Sequence, residues 1–308
     1  MKEPLKNFAT VGLVHHLFYP SCVHDPQVHA DSLEQFIQRR DMATFDVSMP
    51  WDNALRHRLI PKIRASSERL HDTAYAIHLF PARQICLGTT NKQQQDLIKM
   101  ILLDQIDIAM TIGARQFIFM SGIDVPLEER PQAIQCFKTL CRWLCEQLHN
   151  HDMIATLEIF DRHVDKKFLC GPSEEAVQLI QALKPDVDNI GLLLDVAHIR
   201  LLNESLEQTI RRCAPYLNRV HLGNCVIKNK ENPYYGDLHP PIGYTDGEID
   251  IPELAETLST LLETGYLKRG GRNSILTELQ PVPGKTLDEW IEDNHRRIET
   301  AWGMVQES

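Results

Sequence analysis

The stretch NIGLLLDVAHIR, residues 189–200, closes an unbroken apolar run on Asp195 and places His198 three residues later. A short run without polar alternation is the pattern of a strand covered on both faces, as in a parallel sheet. A carboxylate and an imidazole at the end of such a strand are costly to bury without partners. Seven other runs of the same kind occur: TVGLV (10–14), ATFDVSM (43–49), AYAIHLF (74–80), RQFIFMS (115–121), MIATLEIF (153–160), RVHLG (219–223) and SILTELQ (274–280). A longer amphipathic stretch follows each. Most of their starts are about 30 to 40 residues apart, the length of a strand, a helix and two loops.

The intervening stretches carry helix signals. Asp31 with Glu34, Asp250 with Glu253 and Thr286 with Glu289 have the spacing of capping boxes. Residues 93–114 read as one long helix, with Leu97, Ile101, Ile108 and Ile112 near helical spacing and Gly113 as its stop. Eight strand–helix repeats predict an α/β fold, a single (β/α)8 TIM barrel spanning residues 1–308. No strand is followed by a GxGxxG turn, so the dinucleotide-binding alternative lacks its signature. Residues 224–250, rich in Gly, Pro and Tyr, form a long connection after the seventh strand that is expected to cover the barrel mouth.

Composition narrows the partners. A net charge of −10 argues against nucleic acid, which is held by neutralising phosphates. His15 and His16 break the N-terminal apolar run before it could serve as a signal-peptide core, and no apolar window is long enough to span a membrane. The eight cysteines show no C-x-x-C pair, and Cys136, Cys141 and Cys145 fit a helix core. A cytoplasmic protein in a reducing compartment is expected, with a homo-oligomer compatible with the sequence.

In such barrels, polar residues at the C-terminal strand ends face the catalytic mouth. Glu158, Asp195, His221 and Glu278 stand at the ends of strands five, six, seven and eight. Three converging carboxylates repel one another unless a cation lies between them. With one imidazole they make a hard-to-borderline ligand set suited to Mn²⁺, Mg²⁺, Co²⁺ or Zn²⁺. His198, one turn beyond Asp195, is expected to contact substrate. His78, Trp51, Lys166 and His239 are further candidates to line a polar pocket at the mouth.

This set, with the D-x-x-H of Asp195 and His198, resembles the xylose isomerase-like TIM barrel superfamily. The likeness is to its sugar isomerases and epimerases related to tagatose 3-epimerase and inosose dehydratase, and it covers nearly the whole chain. The resemblance implies one bound divalent ion, with Mn²⁺ favoured, and that Glu158 and Glu278 both bind it and exchange protons with substrate carbon. It implies a carbohydrate substrate and proton transfer through an enediolate, whose charge a metal stabilises. Dehydration of a keto-sugar or inosose is the alternative. Two departures stand out. The epimerases place an arginine several residues after the strand-seven histidine, and HLGNCVIKNK (221–230) has none. Asp237 and His239 resemble the D-x-H pair that helps bind further zinc in the apurinic endonuclease members. However, IFMSG (118–122) lacks a histidine that those nucleases carry, and the chain is acidic. A non-catalytic metal-binding barrel is the remaining class, and the paired glutamates speak against it.

Overall fold

The computed structural model describes residues 1, 3–70, 72–77 and 85–306. Eight parallel strands close into a barrel in sequence order. They are β1 (Thr10–Val14), β2 (Thr44–Val47), β3 (Asp72–Ala76), β4 (Gln116–Phe119), β5 (Ile154–Glu158), β6 (Ile190–Asp195), β7 (Leu217–Leu222) and β8 (Ser274–Thr277). Closure joins β1 to β8, with Thr10 beside Ser274. Gly12 is required at the β1–β2 seam, because a Cβ there would lie 2.2 Å from the Thr44 carbonyl oxygen. The α/β barrel expected from the eight runs is the observed fold.

Ten α-helices are described around the strands: α1 (His15–Phe18), α2 (Pro26–Phe36), α3 (Asn53–Arg69), α4 (Lys92–Ile112), α5 (Arg130–His149), α6 (Ser173–Leu183), α7 (Val196–Leu201), α8 (Leu206–Cys213), α9 (Ile251–Glu263) and α10 (Leu287–Met304). The capping boxes at Asp250 and Thr286 form as the spacing indicates. The one at Asp31 does not. Asp25 caps α2 through the Gln27 and Val28 amides and Pro26 opens the helix, so Asp31 falls inside it. Gly113 ends α4 at φ 77°, as expected, but the buried face runs through Ile98, Leu102, Ile106, Ala109 and Ile112, leaving Leu97 exposed. All the cysteines are free thiols.

The barrel interior is layered. At the N-terminal end of the strands, buried Arg219 pairs with Asp46 and Asp72 (each 2.5 Å) and donates to the Thr44 hydroxyl. Ser274 and Gln116 also donate to Asp72. Above this floor, Ala74, Ile118 and Leu193 form a small apolar plug. The mouth lies beyond it. A register shift between β6 and β7 decides what stands there: Leu192 pairs with Leu217, but Leu193 pairs with Arg219. This extra residue in β7 sets Asp195 beside His221. Unshifted pairing would have put Val220 there, on the opposite face.

Candidate functional site

Four strand ends deliver the acidic and basic groups of the mouth. Glu158 ends β5, Asp195 ends β6, His221 lies one residue before the end of β7, and Glu278 directly follows β8. All four are buried. His221 stands between two carboxylates, with Nδ1 2.5 Å from Glu278 Oε2 and Nε2 2.7 Å from Asp46 Oδ2. The Asp46 contact fixes the imidazole's direction. At 2.5 Å, the Glu278 contact requires a proton between the two groups or a cation that separates them.

Asp195 also caps α7, its Oδ1 accepting from the Ala197 amide at 2.6 Å. Its Oδ2 has no hydrogen-bond partner among the described residues, and neither has Nδ1 of His239, 3.9 Å away. Gly223 makes this approach feasible: a Cβ there would lie 2.4 Å from His239 Nδ1 and 2.7 Å from both Asp195 oxygens. His239 comes from the long connection, where it adopts φ 47° in the left-handed region. That connection folds back on itself. Asn224 donates to the Pro241 carbonyl and accepts from the Ile249 amide, so its two ends are tied together.

Asp237, two residues before His239, organises the cations on this side. It lies 3.1 Å from His198 Nε2, 2.8 Å from His239 Nε2 and 2.7 Å from Lys166 Nζ. His198 Nδ1 donates to the Ile159 carbonyl at 2.8 Å. Burial disfavours a charge on His198, but Asp237 outweighs it and raises the imidazole to about 10. The same opposition raises His239 to about 9.

The two glutamates are driven apart. Burial, reinforced by Glu278, pushes Glu158 up to about 8. Burial would raise Glu278 as well, but the His221 and His239 charges outweigh it and hold Glu278 well below the usual carboxylate range. Burial raises Asp195 to about 7 against the opposing pull of His239 and His198.

Two adjacent groups of ligand atoms result. Glu158, His221 and Glu278 present atoms within 4.8 Å of one another, and so do Asp195, His198 and His239. Such carboxylate and imidazole sets suit divalent cations, and the orphaned Asp195 oxygen beside the Gly223 cradle leaves a donor for one. The residues therefore fit a metal ion. Of the sequence-selected set, Glu158, Asp195, His221, Glu278, His198, His239 and Lys166 meet at this mouth. Trp51 lies on the loop after β2, 47% exposed, with Arg56 over its ring. His78 lies outside the described residues. Sequence reading missed Asp46 and Arg219, whose signal was a lone charge within an apolar strand. It also left Asp237 without a role.

Comparison with known proteins places the chain in a family. Solved structures with the same fold include L-ribulose 3-epimerase (18% identity, TM-score 0.65, covering 96% of this chain and 92% of that one). Another is the IolI protein with a bound zinc atom (12%, 0.64, 96% and 96%), and a third is AP endonuclease, family 2, from Brucella melitensis (14%, 0.62, 99% and 100%). None of the curated proteins matches the sequence. The family profile for the xylose isomerase-like TIM barrel matches residues 14–268, and with its closed eight-stranded barrel this chain belongs to that family.

Proposed function

We propose that this protein is a divalent-metal-dependent isomerase or epimerase of a sugar, keto-sugar or cyclitol, acting as a one-domain cytoplasmic enzyme. The observation that carries the reading is the convergence of Glu158, His221 and Glu278, with Asp195 beside them, at the C-terminal end of a closed barrel. Glu158, Asp195, His221 and Glu278 would hold the cation, with Mn²⁺ favoured. Bound there, it would supply the positive charge that lowers the cost of removing a proton next to a carbonyl.

The chain's own groups supply the proton traffic. Without the cation, the histidines hold Glu278 below the usual carboxylate range and burial pushes Glu158 up, so of the two Glu278 suits the base and Glu158 the acid. Asp46 orients His221 by receiving its Nε2–H. His239, fixed by Asp237 through Nε2, presents Nδ1 to substrate oxygens, whereas His198, whose two nitrogens meet Asp237 and the Ile159 carbonyl, stiffens that wall of the pocket, and the folded-back connection limits water. Lys166 is occupied by Asp165 and Asp237, so its part is to hold the Asp237 cluster together at the pocket wall. Trp51 would offer an aromatic face to the proposed sugar pocket. The fold neighbour named L-ribulose 3-epimerase supports an enzyme acting on a sugar, and the zinc-bound IolI neighbour supports a metal. Loss of a β-hydroxyl from the same site, a dehydratase reaction, is the near alternative.

One observation favours a second reading. Asp195, His198 and His239 form their own metal-capable group, as a zinc nuclease with several ions would need. The net charge of −10 counts against a nucleic-acid partner. Among the described residues no helix is long and apolar enough to cross a membrane.

The test is solvent deuterium exchange into a panel of keto-sugars and inososes with Mn²⁺ present. Exchange is expected for at least one of them, and Glu158→Gln and Glu278→Gln should each reduce it by about 10²- to 10⁴-fold. Undiminished exchange in both variants would defeat the mechanism. Cleavage of abasic DNA by the wild type, without exchange, would favour the nuclease.

A further inference from the structure

We propose that His15, Cys22 and His29 form a separate, sulfur-containing metal site suited to zinc, outside the barrel mouth. The three come from consecutive short elements behind the end of β1: His15 opens α1, Cys22 sits in the 3₁₀ turn Pro20–Val23, and His29 lies in α2. All three are buried, and each presents one ligand atom within 4.8 Å of the others. The hydrogen bonds fix the imidazole tautomers. Ser32 spends its hydroxyl proton on the His29 carbonyl, so at its 3.0 Å contact with His15 Nε2 it accepts, and Nε2 carries the hydrogen. His15 therefore keeps its lone pair on Nδ1, which has no partner among the described residues although the residue is fully buried. His29 Nε2 contacts the Ser48 carbonyl at 3.1 Å, which can only accept, so Nε2 carries the hydrogen in that contact. An imidazole that donates one N–H to an oxygen and offers the other nitrogen is the usual arrangement of a metal-bound histidine.

Two imidazoles and a thiolate are a borderline-to-soft donor set, which selects zinc over the harder ions suited to the carboxylate-rich mouth. Binding would form an S–metal bond as the Cys22 thiol proton leaves to solvent. Such an ion would tie α1, the turn and α2 together. Their neighbour His16 reaches the mouth, with Nε2 3.9 Å from Glu278 Oε1, so the site would brace one wall of the mouth without belonging to it.

The full chain, stripped of metal and kept reduced, is titrated with Co²⁺ and followed in the near ultraviolet, where only a sulfur ligand gives an intense charge-transfer band. The band is expected in the wild type, retained in Glu278→Gln, bleached by one equivalent of Zn²⁺, and lost in Cys22→Ser and Cys22→Ala, whichever of these folds. No band in the wild type, a band that survives in a folded Cys22 variant, or its loss in Glu278→Gln would overturn the assignment.

Discussion

The floor and the mouth of this barrel are built from the same residue types, yet they solve the burial of charge differently. In the floor, Arg219 meets Asp46 and Asp72 at 2.5 Å each, and hydroxyl and amide groups fill in around them. Every strong charge there has a protein partner. In the mouth, Asp195 Oδ2 and His239 Nδ1 face each other at 3.9 Å without a hydrogen bond, burial keeps the proton on Glu158, and His221 is pressed between two carboxylates. The floor is complete as a structure, whereas the mouth is arranged for a cation and a substrate. Asp46 belongs to both, with Oδ1 on Arg219 and Oδ2 on His221.

Substitutions can break this contrast. Arg219→Met should have the largest effect on folding, costing about 3–5 kcal/mol in chemical denaturation because it strands Asp46 and Asp72 in the interior. Glu158→Gln, in the mouth, should leave unfolding in chelator unchanged or slightly harder, since it removes a buried carboxyl that Glu278 opposes. If both variants lost the same stability, the two layers would not differ as described. Asp46→Asn sits on the boundary and should fail in both assays, losing stability and weakening metal binding by about 10- to 100-fold in calorimetric titration. Gly223→Ala should come next, at about 1–3 kcal/mol, as the added methyl forces His239 and Asp195 apart.

The helical shell gives the smallest effect and a pH signature. Burial holds His295 in α10 below its ordinary 6.5. The unfolded chain therefore takes up a proton as pH falls through about 6.5 while the folded chain does not, so this residue's share of stability is lost on acidification. His295→Gln should flatten the slope of unfolding free energy against pH just below that value. An unchanged slope would show that the imidazole titrates freely.

Much of this was legible in the sequence because barrel geometry converts order into place. Once eight apolar runs recur, the last polar residue of each is on the rim, so Glu158, Asp195, His221 and Glu278 follow from their position. Asp46 and Arg219 were not legible in that way. Whether a charge inside a strand faces the barrel depends on register, and the shift between Leu192 and Leu193 that aligns Arg219 and His221 inward has no local sequence signal. The Asp237 contacts depend on how a long connection folds back, which periodicity does not describe. The start of α2 was misplaced for a simpler reason. Asp31–Glu34 and Asp25–Pro26 both carry start signals, and the earlier one extends the helix to include the buried His29 and Ala30.

The central claim is that the mouth's acids are balanced by one divalent cation. It is tested most directly by titrating the metal-stripped protein with Mn²⁺ and following free Mn²⁺ by electron paramagnetic resonance. The wild type should remove about one equivalent from solution, Glu278→Gln should bind at least about tenfold more weakly, and Arg39→Gln on the surface should bind like the wild type. Free Mn²⁺ rising from the first addition in the wild type, or equal binding by Glu278→Gln, would contradict the account.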